Sequence, residues 1–226
     1  MNVIVFASRK GGSGKSTLAA HLAAFASKSS RSCLLVDADP QSSLTLWHRL
    51  RGTGEPPLKD GSRGVADIIR VAKRERCEWL LIDTPPTRSS IVADAIRAAT
   101  VVVIPARPTI FDLTAVQDTI ELAREARKPY MVVINAAPAK RDGVESPIVT
   151  KAREGLAGLN VPLWSGQLTN RASFALALAA GEGAREYEPE SYAAAELTRL
   201  WAAVQKSVNV INTAHESMRG SHRAAA

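Results

Sequence analysis

The stretch SRKGGSGKST, residues 8–17, sets glycines, lysines and hydroxyl side chains directly after the apolar run VIVFA. Gly11, Gly12 and Gly14 allow the backbone around Ser13 to curl until successive N–H groups face phosphate oxygens. A helix opening near Lys15 adds the partial positive charge of its N-terminus. From there Lys15 can reach β- and γ-phosphates, Ser16 can set its hydroxyl on Mg²⁺, and Thr17 can bond an α-phosphate. One lysine suffices to hold a phosphate. Lys10 therefore needs its own account, and two stay open. It is a plain surface lysine, or a cation offered across a dimer interface to the phosphates of a facing subunit, as an arginine finger acts in trans.

Carboxylates follow at the ends of later apolar runs. LLVDADPQSSLT carries Asp37 and Asp39 on either side of one alanine, so on an extended chain they point the same way. Two carboxylates beside a triphosphate are costly unless a cation or a water network compensates. Mg²⁺ and an attacking water would do both. Asp39-Pro40 also reads as a turn, with Asp39 a helix cap. LLIDTPP closes an apolar run on Asp83, the Walker B arrangement that holds Mg²⁺ through water. Asp83 is thus the metal residue alongside Ser16, and Thr84-Pro85-Pro86 would stiffen the start of a loop sensing the γ-phosphate. Asn135, in VVINAAP, is placed to bond an adenine edge or to serve as a buried structural amide.

These residues need a scaffold that gathers strand ends. Continuous Val- and Ile-rich runs at 2–7, 33–38, 78–84, 100–106 and 130–136, with a short sixth at 161–164, suit parallel strands buried on both faces. Helical patterns at 16–29, 65–76, 90–99 and 113–127 alternate with them. The expected fold is α/β: a doubly wound, mostly parallel sheet flanked by helices, in a single domain over 1–212. Ligands on such sheets bind beyond the carboxyl ends of the strands, where every motif above falls. Residues 51–63 and 138–147 read as polar loops, and 213–226 as a disordered tail.

No apolar stretch approaches the roughly 20 residues that cross a bilayer. A strand and a motif occupy the first residues, so no signal peptide is expected. Cys33 and Cys77 lack CxxC spacing and read as core thiols, which argues against a metal site or an iron–sulfur role. The net charge of +7 suits a polyanionic partner or simply a soluble basic surface, since the basic residues are scattered.

KGGSGKST matches the variant Walker A motif of the ParA/MinD group of P-loop ATPases. The chain resembles that family from residue 2 to about 205, and its small plasmid-partition ParA members best. The resemblance implies an ATP- and Mg²⁺-dependent, slow ATPase that forms a homodimer when ATP-bound, with Lys10 in the cross-dimer role. In its DxDPQ pattern, Asp37 lies near the Mg²⁺ shell and Asp39 orients the hydrolytic water. Within IPARPTIFDLTAV, Pro108 and Asp112 would begin a helix near the dimer interface, or Asp112 would only be an N-cap. TNRASFALALAAGEGAREYEPESYAAAE resembles the C-terminal stretch of ParA proteins, which bind DNA without sequence preference. Lys151, Arg153, Arg171, Arg199 and Lys206 are the candidate contacts. A ParB-like or cargo adaptor protein and a cytoplasmic, nucleoid-associated location follow from the same resemblance. A MinD-like membrane-associated regulator is the alternative, although the stripe Leu197, Leu200, Trp201, Val204, Val208 and Ile211 on the helix at 191–212 suits core packing better. Nothing precedes the first strand that would form the helix-turn-helix domain of larger relatives, so operator binding is not expected.

Overall fold

The long apolar runs all enter one sheet. A computed structural model describes residues 1–29 and 32–224, apart from the side chains at 29, 110, 111, 215 and 218–224. Its strands are β1 (Asn2–Phe6), β2 (Cys33–Asp37), β3 (Leu58–Asp60), β4 (Trp79–Asp83), β5 (Val101–Ala106) and β6 (Tyr130–Ile134). They pair in parallel throughout, in the order β3-β2-β4-β1-β5-β6. The helices are α1 (Lys15–Ser29), α2 (Ser43–Arg51), α3 (Ala66–Arg74), α4 (Ser90–Ala98), α5 (Ile110–Glu125), α6 (Pro147–Ala157), α7 (Ala172–Ala179), α8 (Ala184–Tyr187) and α9 (Tyr192–Ala224).

The unalternating strands are explained by two cores. Ile4, Phe6, Leu35, Leu81 and Val103 face one layer with α1 and α9, whereas Val3, Val5, Val36, Ile82 and Ile104 face α4, α5 and α6. Each fully buried Ile or Phe contributes roughly 2 kcal/mol, so both faces demand apolar residues. Strand order reverses at β1, between β4 and β5. The crevice at its carboxyl end is therefore the place where such a sheet takes a ligand.

Two expectations are corrected. The sixth strand is not 161–164, which meets β6 only through the isolated bridge Val132–Leu163. It is β3, inside the segment read as a polar loop. Leu58 is half-buried while Lys59 and Asp60 are exposed, so backbone pairing with β2, not apolarity, makes this short edge strand. Asp112 does not cap α5 either. Thr109 is the N-cap: its hydroxyl accepts from the Asp112 N–H at 3.3 Å and donates to Asp112 Oδ2 at 2.6 Å.

The last helix continues past the boundary expected at residue 212, to Ala224, and residues 225–226 of the expected tail lie outside the described ones. Its packing ends near that boundary, however. Leu197, Leu200, Trp201, Val204 and Val208 are buried, with Trp201 against Trp79 at 4.7 Å between ring centroids, while Thr213 and Ala214 are exposed. Cys33 and Cys77 are buried free thiols, and burial pushes both above the usual thiol range. Among the described residues, no helix is long and apolar enough to cross a membrane.

Candidate functional site

The loop from β1 to α1 is held curled from outside. Asn135, just past β6, donates from Nδ2 to the Ser13 carbonyl at 2.7 Å. A Cβ on Gly14, at φ +105, would sit 2.1 Å from that nitrogen, so no side chain fits there. Asn135 acts as a structural amide through one N–H, and it also lines the cleft, where the amide keeps a second N–H and Oδ1. The Ser13 hydroxyl is buried without a partner among the described residues.

Lys15 opens α1, only 5% exposed, with Nζ donating to the Lys10 carbonyl at 3.4 Å. Burial pulls its pKa down, against the attraction of Asp83 and Asp39. One residue on, Ser16 Oγ donates to Asp83 Oδ2 at 2.6 Å. Asp83 is fully buried at the end of β4. Burial pushes its pKa up to about 7, with Asp37 and Asp39 adding to the rise and the Ser16 hydroxyl and Lys15 opposing it. Its second oxygen, Oδ1, has no partner among the described residues. An orphaned, reluctantly ionised carboxylate oxygen beside a hydroxyl and a phosphate cradle fits a hydrated Mg²⁺, which keeps waters and binds through few carboxylates. Among the described residues no three His, Cys, Asp or Glu side chains gather to hold a metal, so phosphate oxygens would have to complete such a site.

Asp37 and Asp39 part company. Asp37 Oδ2 accepts from the Thr45 N–H at 2.9 Å and from its hydroxyl at 2.8 Å, and Oδ1 takes the Asp39 N–H at 3.3 Å. Oδ2 of Asp37 thus anchors α2 and Oδ1 the loop before it, while its charge acts on Asp83. Asp39 accepts from the Gln41 N–H at 3.0 Å, a turn contact, while Ser42 occupies the N-cap of α2. Unlike Asp37, Asp39 lines the cleft above the loop. Beside it, Thr84 donates its hydroxyl to the Phe6 carbonyl at 2.8 Å, tying the loop after β4 to β1.

That cleft measures about 600 Å³ and takes in Gly11, Gly12, Gly14, Lys15, Ser16, Thr17, Asp39 and Asn135. It also takes in Pro86 of the expected sensing loop, Arg171, named above only as a DNA contact, and groups that sequence reasoning missed: Arg107 after β5, Leu168–Asn170 and Phe174. Arg107 was findable, since it stands at a strand's carboxyl end like every other site residue. A larger hollow of about 860 Å³, by Met1, Lys73, Arg76 and Cys77, lies at the amino ends of the strands, away from the loop and its carboxylates. The chemistry is in the smaller one.

Lys10 is exposed, and its ammonium has no hydrogen bond or ion pair among the described residues. Lys151, Arg199 and Lys206 are likewise exposed and unpaired. The other two candidate DNA contacts are committed internally. Arg153 donates to Glu145 at 2.9 Å and to the Trp164 and Gly166 carbonyls at 3.1 and 2.7 Å. Arg171 pairs with the buried Glu196 at 3.2 Å and lies over the Tyr192 ring, 5.0 Å from its centroid. Both guanidinium groups thus spend part of their donors inside the chain.

The CobQ/CobB/MinD/ParA nucleotide binding domain model matches residues 4–218. A ParA protein of Rhizobium radiobacter is 33% identical over 132 residues, 55% of this chain but only 57% of that relative's length. Among solved structures, apo McdA of Cyanothece superposes with a TM-score of 0.73 at 20% identity, over 92% of this chain and 99% of that one. The septum site-determining protein MinD of Pyrococcus horikoshii, complexed with Mg-ADP, gives 0.69 at 20% identity, over 93% and 98%. These last two speak for the fold.

Proposed function

The chain belongs to the CobQ/CobB/MinD/ParA nucleotide-binding family, and from that premise we propose that it is a Mg²⁺-dependent ATPase of the partition type. In this reading it dimerises on ATP, binds DNA without sequence preference, and is reset by hydrolysis to position a plasmid, a chromosomal origin or a protein cargo. The observation that carries it is the cluster of buried Lys15 and Asp83 with half-buried Ser16 at the β1 and β4 ends, with unspent Lys10 just outside.

Lys15 and the loop N–H groups bind the phosphates, and Ser16 with water-linked Asp83 would hold Mg²⁺, which supplies charge neutralisation at the phosphates. Asp39 orients the attacking water. Asp83, the carboxylate of raised basicity, is tied to Ser16 and does not line the cleft, so turnover is slow alone, and an arginine or lysine from a ParB-like or cargo adaptor would speed it. Lys10 serves the triphosphate of the facing subunit. Lys151, Arg199 and Lys206 provide salt-sensitive DNA contacts on the nucleoid in the cytoplasm. The membrane alternative is the weaker reading, because the apolar stripe of α9 is already consumed by the core.

Light scattering with ATP and Mg²⁺, and DNA retention with ATP, ADP or no nucleotide across a salt series, test the reading. Dimers and ATP-selective, salt-sensitive retention are expected. Lys10→Ala should keep ATP binding yet lose dimerisation and turnover; unchanged turnover in that variant would refute its role across the interface.

A further inference from the structure

The β1–α1 loop lies between two strand ends that bring opposite charges to it. From β4 comes Asp83, on the side where Ser16 sits. From β5, on the other side of β1, comes Arg107, directly after Ala106. Its Nη2 lies 3.8 Å from where a Cβ on Gly12 would be, and it lines the same cleft as Gly11, Gly12 and Lys15.

The surroundings of this guanidinium are positive. The loop directs backbone N–H groups outward, α1 presents its N-terminus, and Lys10 and Lys15 flank it. A cation against that field is repelled unless an anion comes between. The Arg107 guanidinium makes no hydrogen bond or ion pair among the described residues. By contrast Arg51, Arg153 and Arg171 all spend their guanidinium groups on carboxylates or carbonyls of the chain. Arg107 has donors, an open cleft in front of it, and no internal acceptor.

We propose that Arg107 is a second phosphate-binding cation of the cleft, gripping the phosphate chain of the bound nucleoside triphosphate from the β5 side, opposite Asp83. The assignment rests on the nucleotide reading above. A guanidinium fork engages phosphate oxygens in pairs, which a lysine ammonium cannot copy, so charge and geometry can be separated by substitution.

Equilibrium binding of a fluorescent ATP analogue with Mg²⁺ to the full chain, beside nucleotide-free melting temperatures, tests it in wild type, Arg107→Ala and Arg107→Lys. Arg107→Ala should weaken binding about tenfold and Arg107→Lys about threefold. Both melting temperatures should stay within about 1 °C of wild type, as for an exposed substitution. Affinity in Arg107→Ala within about twofold of wild type overturns the assignment. So does a nucleotide-free melting temperature that falls in step with affinity, which would make the residue part of the scaffold. A wild-type chain that does not bind the analogue is a distinct failure, overturning the nucleotide reading and this assignment with it.

Discussion

Around the phosphate loop, the Lys10 ammonium, the Arg107 guanidinium and Asp83 Oδ1 are left without partners among the described residues. Across the cleft, in the α7–α9 wall, the two carboxylates Glu196 and Glu186 are fully engaged, although Arg199 and Lys206 on the outer face of α9 are not. Glu196 accepts from the Thr169 N–H and hydroxyl, both at 2.8 Å, and from Arg171. Glu186 takes both ends of the Arg51 fork at 2.7 and 2.8 Å, Lys28 at 3.0 Å and the Gly183 N–H at 2.7 Å. Burial alone would raise the Glu186 pKa, but the Arg51, Gly183 and Lys28 contacts outweigh it and hold it at about 2. Buried polar groups are normally paired. A wall that satisfies itself is scaffold, and one that leaves donors and acceptors open is waiting for a ligand.

The contrast can be broken by substitutions that exchange the two kinds of loss. The largest effect belongs to Lys15→Ala. Nucleotide affinity should fall about a thousandfold, roughly 4 kcal/mol, in titration calorimetry, while urea-unfolding stability without nucleotide is unchanged or higher, since a desolvated charge is removed. Next comes Glu186→Ala, which strands Arg51 in a nearly buried site. It should cost about 3 kcal/mol of unfolding stability and leave nucleotide affinity within about twofold. Stability lost at Lys15 or affinity lost at Glu186 would erase the distinction.

Asp39→Ala should slow turnover about a hundredfold with ATP still bound, leaving an ATP-loaded dimer in light scattering. A monomer would count against the water-orienting role.

The smallest effect is a pH slope. His21 is buried, its Nδ1 accepting the Ala184 N–H at 3.1 Å, and burial lowers its pKa to about 4. The unfolded chain therefore takes up that proton first, and stability falls as pH drops from about 6.5 toward 4. Asp83, raised to about 7, works in reverse. The folded chain keeps its proton after the unfolded one has released it, so stability falls as pH climbs from about 4 to 7. In wild type the two nearly cancel. Asp83→Asn should uncover the histidine, with about 2 kcal/mol lost between pH 7 and 5 in metal-free urea melts. A flat profile would show that His21 is not held neutral by the fold.

The residues legible in the sequence are those where an apolar run breaks on a glycine or a carboxylate. Lys15, Ser16, Asp39 and Asp83 sit at such breaks, and the structure gathers them around one cleft or hydrogen bond. What escaped reading had no local signature. β3 pairs by backbone alone, and α7, ASFALALA, is apolar on all sides and so shows no periodicity. The Arg51–Glu186 pair joins residues 135 apart, and Arg153 and Arg171 looked like surface charges because their acceptors are set by tertiary packing. Asn135 was found at the right place with its partner left open, since only the fold shows which carbonyl it meets.

The grip of Asn135 on Ser13 bears on how fast and how tightly the cleft fills. A glycine-rich segment surrenders more freedom than any other when it is ordered. Here a neighbouring strand end imposes that order as the sheet assembles, before any nucleotide arrives. An incoming triphosphate meets a mould that has already set, and little of its interaction energy is diverted into shaping the receptor.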